Sequence, residues 1–213
     1  FCTDFLPFTL SRIGTPDTCI AFLILLQFAM MWHILARVEQ REETQRCLKI
    51  SDLVWLFLCA VLCGISVAVK WTGVFASLGI ITAYILYFIR QKRRIRIQAL
   101  VAGAVCFAVF PVLIYTLAFW PVASSLGYSS AFSAMIGRSL AMWNFHKGIV
   151  FSHAYASAWY TWPLDLKPLV DISTVIGETK VSTVATFGNP LLWWCSVPAF
   201  FLLLYRALYR KER

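Results

Sequence analysis

From Leu53 to Ile89 the chain reads LVWLFLCAVLCGISVAVKWTGVFASLGIITAYILYFI, interrupted by a single charged residue, Lys70. How this stretch divides decides the fold. As one helix it would run about 55 Å at roughly 1.5 Å per residue, well beyond a hydrocarbon core of about 30 Å. Lys70 would then sit near the bilayer centre, at a cost of about 2.5–3.5 kcal/mol. A break at Lys70-Trp71-Thr72-Gly73 removes both difficulties. It predicts two spans, 53–69 and 71–89, joined by a tight hairpin that carries the ammonium to the interface.

The composition agrees with a membrane setting. The 213 residues are 60% hydrophobic and 14% charged, with a mean hydropathy of +0.73. A soluble domain of this size has too little interior to hide that much apolar surface. Outward from the hairpin, residues 18–36, 99–121 and 190–205 supply three further apolar stretches, with Pro111 an expected kink in the second of them. The expected class is all-α, a polytopic transmembrane helix bundle of about five spans with one long structured extracytoplasmic loop. Residues 1–121 form its four-span part, 122–189 the loop, and 190–213 the last span with a basic tail.

Lys and Arg set the orientation. They gather at Arg37, Arg41, Arg46 and Lys49, again at Arg90, Lys92, Arg93, Arg94 and Arg96, and again at Arg206, Arg210, Lys211 and Arg213. Five alternating spans place all three clusters on one face, which the positive-inside rule makes cytoplasmic. The net charge of +9 is therefore topological, and no nucleic-acid partner is expected. The seven cysteines form no CxxC pair, lie largely in apolar runs and read as small hydrophobes, with no metal site expected. The chain opens at Phe1, in a run already apolar, and reads as a piece of a longer protein.

Chemically expensive residues fall on the other face: Arg12 and Asp17, Lys70 and Trp71, Arg138, His146 and His153, and Asn189. Cations there suit a phosphate, which takes charge-assisted hydrogen bonds. Two plainer readings stand beside that one. Arg12 and Asp17 can pair or cap the first span, and Lys70 can snorkel. His33, near the cytoplasmic end, reads as packing. In the loop, Phe132, Ile136, Leu140 and Trp143 recur at helical spacing and predict an amphipathic helix over about 130–146 in the outer interface. Val181–Thr186 is either a short strand or the start of the last helix. Between them, Ser152–Leu164 crowds His153, Tyr155, Trp159, Tyr160 and Trp162. Rings with polar edges suit a sugar or a lipid head group, and an interfacial aromatic belt is the alternative.

Five blocks, in order, resemble the bacterial protein O-mannosyltransferases: Arg12 with Asp17, Gly64–Gly73, Met142–His146, Ser152–Leu164 and Gly188–Trp194. The resemblance implies a GT-C glycosyltransferase that inverts configuration. It would move mannose from a polyprenyl-phosphate donor to Ser or Thr of a translocated protein, in a bacterial plasma membrane, with its site on the extracytoplasmic side. It implies no cofactor and no metal. Membrane lipid, the lipid-linked sugar and an acceptor protein or peptide are the expected partners. The family's base lies in an acidic loop upstream of these blocks, and further spans follow the last of them. The expectation is therefore an internal fragment, inactive by itself, with no catalytic residue and with Asp17 not promoted to base. Arg12 and Lys70 would meet the lipid phosphate. Arg138 and His146 belong to the same binding set, His153 and Tyr155 would surround the head group, Trp159, Tyr160 and Trp162 would shape the loop, and Asn189 would fix the entry to the last span. Ala154 stands where the family usually has Pro. Other polyprenyl-phosphate-sugar transferases, a transporter or a non-catalytic scaffold are the competing readings.

Overall fold

The computed structural model describes residues 5–12, 15–41, 47–149, 157–176 and 180–209. The chain forms two compact units, Cys19–Ile149 and Phe1–Thr18 with Val150–Arg213.

The larger unit is a helical bundle of α2 (Asp17–Glu39), α3 (Ile50–Val69), α4 (Gly73–Ile89), α5 (Arg93–Leu117) and α6 (Ala131–Gly148). Among the described residues three stretches are long and apolar enough to cross a membrane, Asp17–Glu39, Ile50–Val69 and Arg94–Val122, with mean hydropathies of 2.1, 2.3 and 2.4. Gly73–Ile89 and Pro190–Arg206 are apolar but shorter. The expected third span is trimmed because the turn consumes Trp71 and Thr72 and Arg90 closes the far end. Its 17 residues sit at the lower limit for a span. Large apolar side chains point away from the bundle, with Trp32 at 74% and Phe75 at 75% exposure. Lipid, not water, tolerates such a surface; the protein is an integral membrane protein.

The hairpin forms where Lys70 demanded it. Lys70 is extended (φ −158°, ψ 137°), and the Gly73 and Val74 N–H groups close back on the Lys70 and Trp71 carbonyls at 2.9 and 3.0 Å. A Cβ on Gly73 would stand 2.6 Å from the Ser66 carbonyl carbon, so only glycine lets α4 start this close to α3. Gly64 plays the same part between α3 and α5: its Cβ would lie 2.7 Å from Ile114 Cβ and 3.0 Å from Pro111 Cα. α5 runs on through Pro111. Small residues that admit close backbone approach drive helix association in lipid. Gly64→Ala is accordingly expected to destabilise the bundle by about 1–3 kcal/mol, read by thermal unfolding in nanodiscs. An unchanged melting temperature would show that the two helices separate at no cost.

Polar groups inside the bundle are satisfied across helices, as a medium without water requires. Buried Gln27 donates to the Leu62 carbonyl at 3.1 Å and lies 3.7 Å from Cys63 Sγ. Tyr84 donates to the Ala99 carbonyl at 2.8 Å, its ring filling the space left by Gly103. Cys59, Cys63 and Cys106 are buried, the first two wholly, as small hydrophobes. His33 packs edge-on to Trp55, with ring centroids 5.0 Å apart.

The ends of the bundle differ. At one end Tyr87 donates to Glu39, bringing the α2–α3 and α4–α5 connections together, and with them two of the basic clusters. At the other end lie the Lys70 turn and α6. Helix α6 begins with Ser130 accepting from Ser133 N–H at 3.2 Å while Ser133 Oγ accepts from Ser130 N–H at 3.1 Å. Ala134 and Met135 are its buried residues. Phe132, Ile136, Leu140 and Trp143, the stripe that revealed the helix, are exposed.

The smaller unit holds α1 (Phe5–Arg12), a 3₁₀ turn (Trp159–Leu164), strands β1 (Leu169–Ile176) and β2 (Lys180–Thr186), and α7 (Pro190–Tyr209). The strands pair antiparallel from Leu169↔Thr186 to Ile176↔Lys180, with an irregularity between Val170 and Ile172. The helical class thus describes the bundle, and the loop adds a two-stranded sheet. Of the two readings open for Val181–Thr186 the strand is right, and its partner β1 was not foreseen.

Candidate functional site

Three of the predicted site residues meet in one place. Lys70 and Trp71 from the α3–α4 turn and His146 from the last turn of α6 line a cavity of about 500 Å³, together with Tyr115, Phe119 and Met142. Each element has a reason to be there. The turn exists because Lys70 could not be buried, α5 brings Tyr115 up beside α3, and the Ser130 cap starts α6 at the same end. The Trp71 indole N–H donates to Tyr115 Oη at 2.9 Å, and that oxygen lies 3.0 Å from Ser139 Oγ. One hydroxyl therefore ties the hairpin, α5 and α6 together and fixes the indole in the chamber wall. Phe119 stands edge-on to the Tyr115 ring at 5.4 Å.

Sequence reasoning missed Tyr115 and Ser139. Tyr115 is a single hydroxyl near the end of an apolar span, and a lone hydroxyl leaves no periodic mark. Its position level with the Lys70 turn was the signal available.

Val67 and Tyr115 also line an apolar groove of about 230 Å³ on α4 and α5. Ile81 and Phe107 line both that groove and another of about 310 Å³ beside Tyr84 and Gly103. The arrangement is an aromatic chamber that holds one lysine, with apolar grooves beside it on the same helices, which suits an anionic head group on a long hydrocarbon tail.

The other predicted residues fall elsewhere. Arg138 is on α6, exposed, and is not among the residues lining the chamber. Arg12 ends α1 and Asp17 opens α2. Trp159, Tyr160 and Trp162 sit on the 3₁₀ turn of the smaller unit, all exposed, the first two edge-on at 5.9 Å. Asn189 Oδ1 accepts the Leu191 N–H at 3.1 Å, capping α7. His153 and Tyr155 lie outside the described residues.

Comparison with known proteins adds the lineage. Residues 1–126 match a family described as dolichyl-phosphate-mannose-protein mannosyltransferase. Residues 131–213 match the C-terminal four-transmembrane region of protein-O-mannosyltransferase. The polyprenol-phosphate-mannose–protein mannosyltransferase of Mycobacterium tuberculosis is 22% identical over 98% of this chain and 49% of its own length. The proteins of that name from Corynebacterium glutamicum and Mycolicibacterium smegmatis are each 22% identical too, over 95% and 98% of this chain and 48% and 50% of theirs. The chain spans about half the length of these curated relatives. No solved structure matches it significantly. With more than half of its residues covered by the first of these matches, the chain belongs to the dolichyl-phosphate-mannose–protein mannosyltransferase family.

Proposed function

We propose that this chain supplies the donor-binding part of an inverting glycosyltransferase that moves mannose from a polyprenyl-phosphate carrier to Ser or Thr hydroxyls of translocated proteins. The observation that carries the reading is the chamber holding Lys70, Trp71 and His146, with an apolar groove beside it that shares its Val67 and Tyr115 walls. A soluble sugar nucleotide has no use for such a groove, whereas a lipid-linked sugar needs both parts.

In this reading the phosphate lies against the Lys70 ammonium and the His146 imidazole, which take up the charge left on it when the bond to C1 breaks. The acceptor hydroxyl attacks C1 from the opposite side, the new glycosidic bond forms as the phosphate leaves with the bonding pair, and the hydroxyl proton passes to a carboxylate base. In this reading the base lies in an acidic loop outside these residues. Arg12 joins Lys70 at the lipid phosphate, Arg138 belongs with His146 to the donor-binding set, His153 and Tyr155 surround the head group, Trp159, Tyr160 and Trp162 shape the loop beside the substrate, and Asn189 fixes the entry of α7. We leave Asp17 with the helix entry and do not make it the base. No cofactor takes part, since the lipid-linked sugar is already activated. The site faces the extracytoplasmic side of a bacterial plasma membrane, opposite the basic clusters.

Donor competition on the full-length gene product tests the sugar. Labelled mannose from polyprenyl-phosphate mannose should enter a Ser/Thr-containing peptide, and unlabelled polyprenyl-phosphate glucose in tenfold excess should not displace it. Preferred incorporation of another hexose ends the mannose assignment.

A further inference from the structure

The smaller unit contains a second cavity, of about 300 Å³, lined by Ser157, Thr161, Trp162, Asp165, Lys167 and Trp193 among others. Its size lies at the small end of ligand pockets, about 300–1,000 Å³. Its walls are held from several directions. Trp162 donates its indole N–H to Ser157 Oγ at 3.0 Å, and Thr161 donates to the Ala158 carbonyl at 2.7 Å. Trp194 fastens the 3₁₀ turn to α7 through a 2.8 Å bond to the Leu164 carbonyl. Thr186, buried at the end of β2, lines the floor.

At the end of that turn stands Asp165, the one non-glycine residue with positive φ among those described, at φ 50° and ψ 46°. Its N–H closes the turn on the Trp162 carbonyl at 3.0 Å. Asp and Asn are the non-glycine residues that take this conformation most readily, and here it ends the 3₁₀ turn. Asp165 is thereby set in the cavity wall, with Oδ2 buried.

We propose that this cavity is a carbohydrate site that holds one hexose ring. A pyranose has an apolar C–H face and an edge of hydroxyls. The indoles of Trp162 and Trp193 match the face, while Asp165, Lys167, Ser157 and Thr161 offer acceptors and donors to the edge. Charge decides against a lipid phosphate, because Asp165 sits in the wall and Lys167, the one cation among the described lining residues, only balances it. A neutral sugar meets neither repulsion nor an uncompensated charge. The identification of the natural occupant, a hexose already attached to the acceptor polypeptide, rests on the mannosyl-transfer reading; the sugar binding itself does not.

Saturation-transfer NMR on the full-length gene product in nanodiscs, with methyl α-mannopyranoside as probe, tests it. The wild type should transfer saturation to the ring protons. Asp165→Asn keeps a residue type that tolerates left-handed backbone while removing the charge, and it should lower the signal at least fivefold, as should Trp162→Leu. Lys70→Ala should leave it unchanged. No signal in the wild type, or an undiminished signal in Asp165→Asn, overturns the proposal, as does a loss confined to Lys70→Ala. If Trp162→Leu fails to fold by its melting curve, Asp165→Asn decides alone. Sugar binding that survives in a protein without transferase activity would count against the proposed reaction and not against this site.

Discussion

Lys70→Ala in the full-length gene product should lower mannosyl transfer by about 100-fold, the scale of losing one preorganised charge partner at a developing anion. The effect should fall mainly on kcat. In the proposed reaction the donor is a phosphodiester with one negative charge, and the leaving polyprenyl phosphate would carry more, so an ammonium in the chamber would gain interaction energy as the bond to C1 lengthens. Interactions that strengthen toward the transition state accelerate the chemical step, and those felt equally in the ground state change KM alone. Lys70→Arg keeps the charge but spreads it over a planar fork that the Trp71–Tyr115 contact was not built around, so a loss of under about tenfold is expected. Initial rates at saturating and limiting donor, with expression checked by in-gel fluorescence, separate these cases. An alanine variant that transfers at the wild-type rate would remove the chamber from the reaction, and a rise in KM with kcat intact would leave Lys70 as an anchor for the head group only.

The same residue shows what was legible in the sequence. Lys70 announced the hairpin by arithmetic alone, since one charge in an overlong apolar run leaves few places for a turn. Placing the turn also placed Trp71 and, through the positive-inside count, set both against the basic clusters. The Tyr87–Glu39 contact at the other end of the bundle agrees with that count. The stripe from Phe132 to Trp143 likewise announced α6, although it is that helix's exposed face and not its packed one. Periodicity reports that one side is apolar; it does not say whether protein or lipid covers it.

What stayed hidden left weaker marks. β1 pairs with β2 across only residues 177–179, and Gly177 in that short link was a hairpin signal that apolar periodicity does not carry. Asp165 looked like one more acidic loop residue because a left-handed backbone leaves no trace in composition. Tyr115 matters only because α5 brings it level with Trp71 and α6 brings Ser139 to meet it.

Arg37 and Arg41 mark the topology in the sequence, and the structure gives them a second task with the largest stability effect expected in the bundle. Asp52, in the first turn of α3, has no side-chain exposure. Arg41 holds it with two bonds, Nη1 to Oδ2 at 2.7 Å and Nη2 to Oδ1 at 2.8 Å. Arg37 Nε stands 3.5 Å from Oδ1, and the Lys49 N–H donates to Oδ2 at 2.9 Å. Arg41 also donates to the Cys47 carbonyl at 2.6 Å, so the clasp closes the α2–α3 connection as well. The hydrogen bonds that Arg41 donates to Asp52 push its pKa up from its already high value, so the guanidinium stays charged. Removing one partner of a buried pair leaves the other uncompensated, at a cost of about 3–5 kcal/mol. Arg41→Ala should destabilise by about 3 kcal/mol, the low end of that range, because Arg37 and the Lys49 N–H still hold the buried carboxylate. Asp52→Asn should cost less, since Arg41, with 13% of its side chain exposed, can still reach water. The double replacement Arg41→Met with Asp52→Leu removes both charges and should recover most of the loss, which a double-mutant cycle measures as coupling. Unfolding in nanodiscs reads all three. Additive losses with no recovery in the double variant would mean that the two charges do not depend on one another, and that the basic residues at this end serve orientation alone.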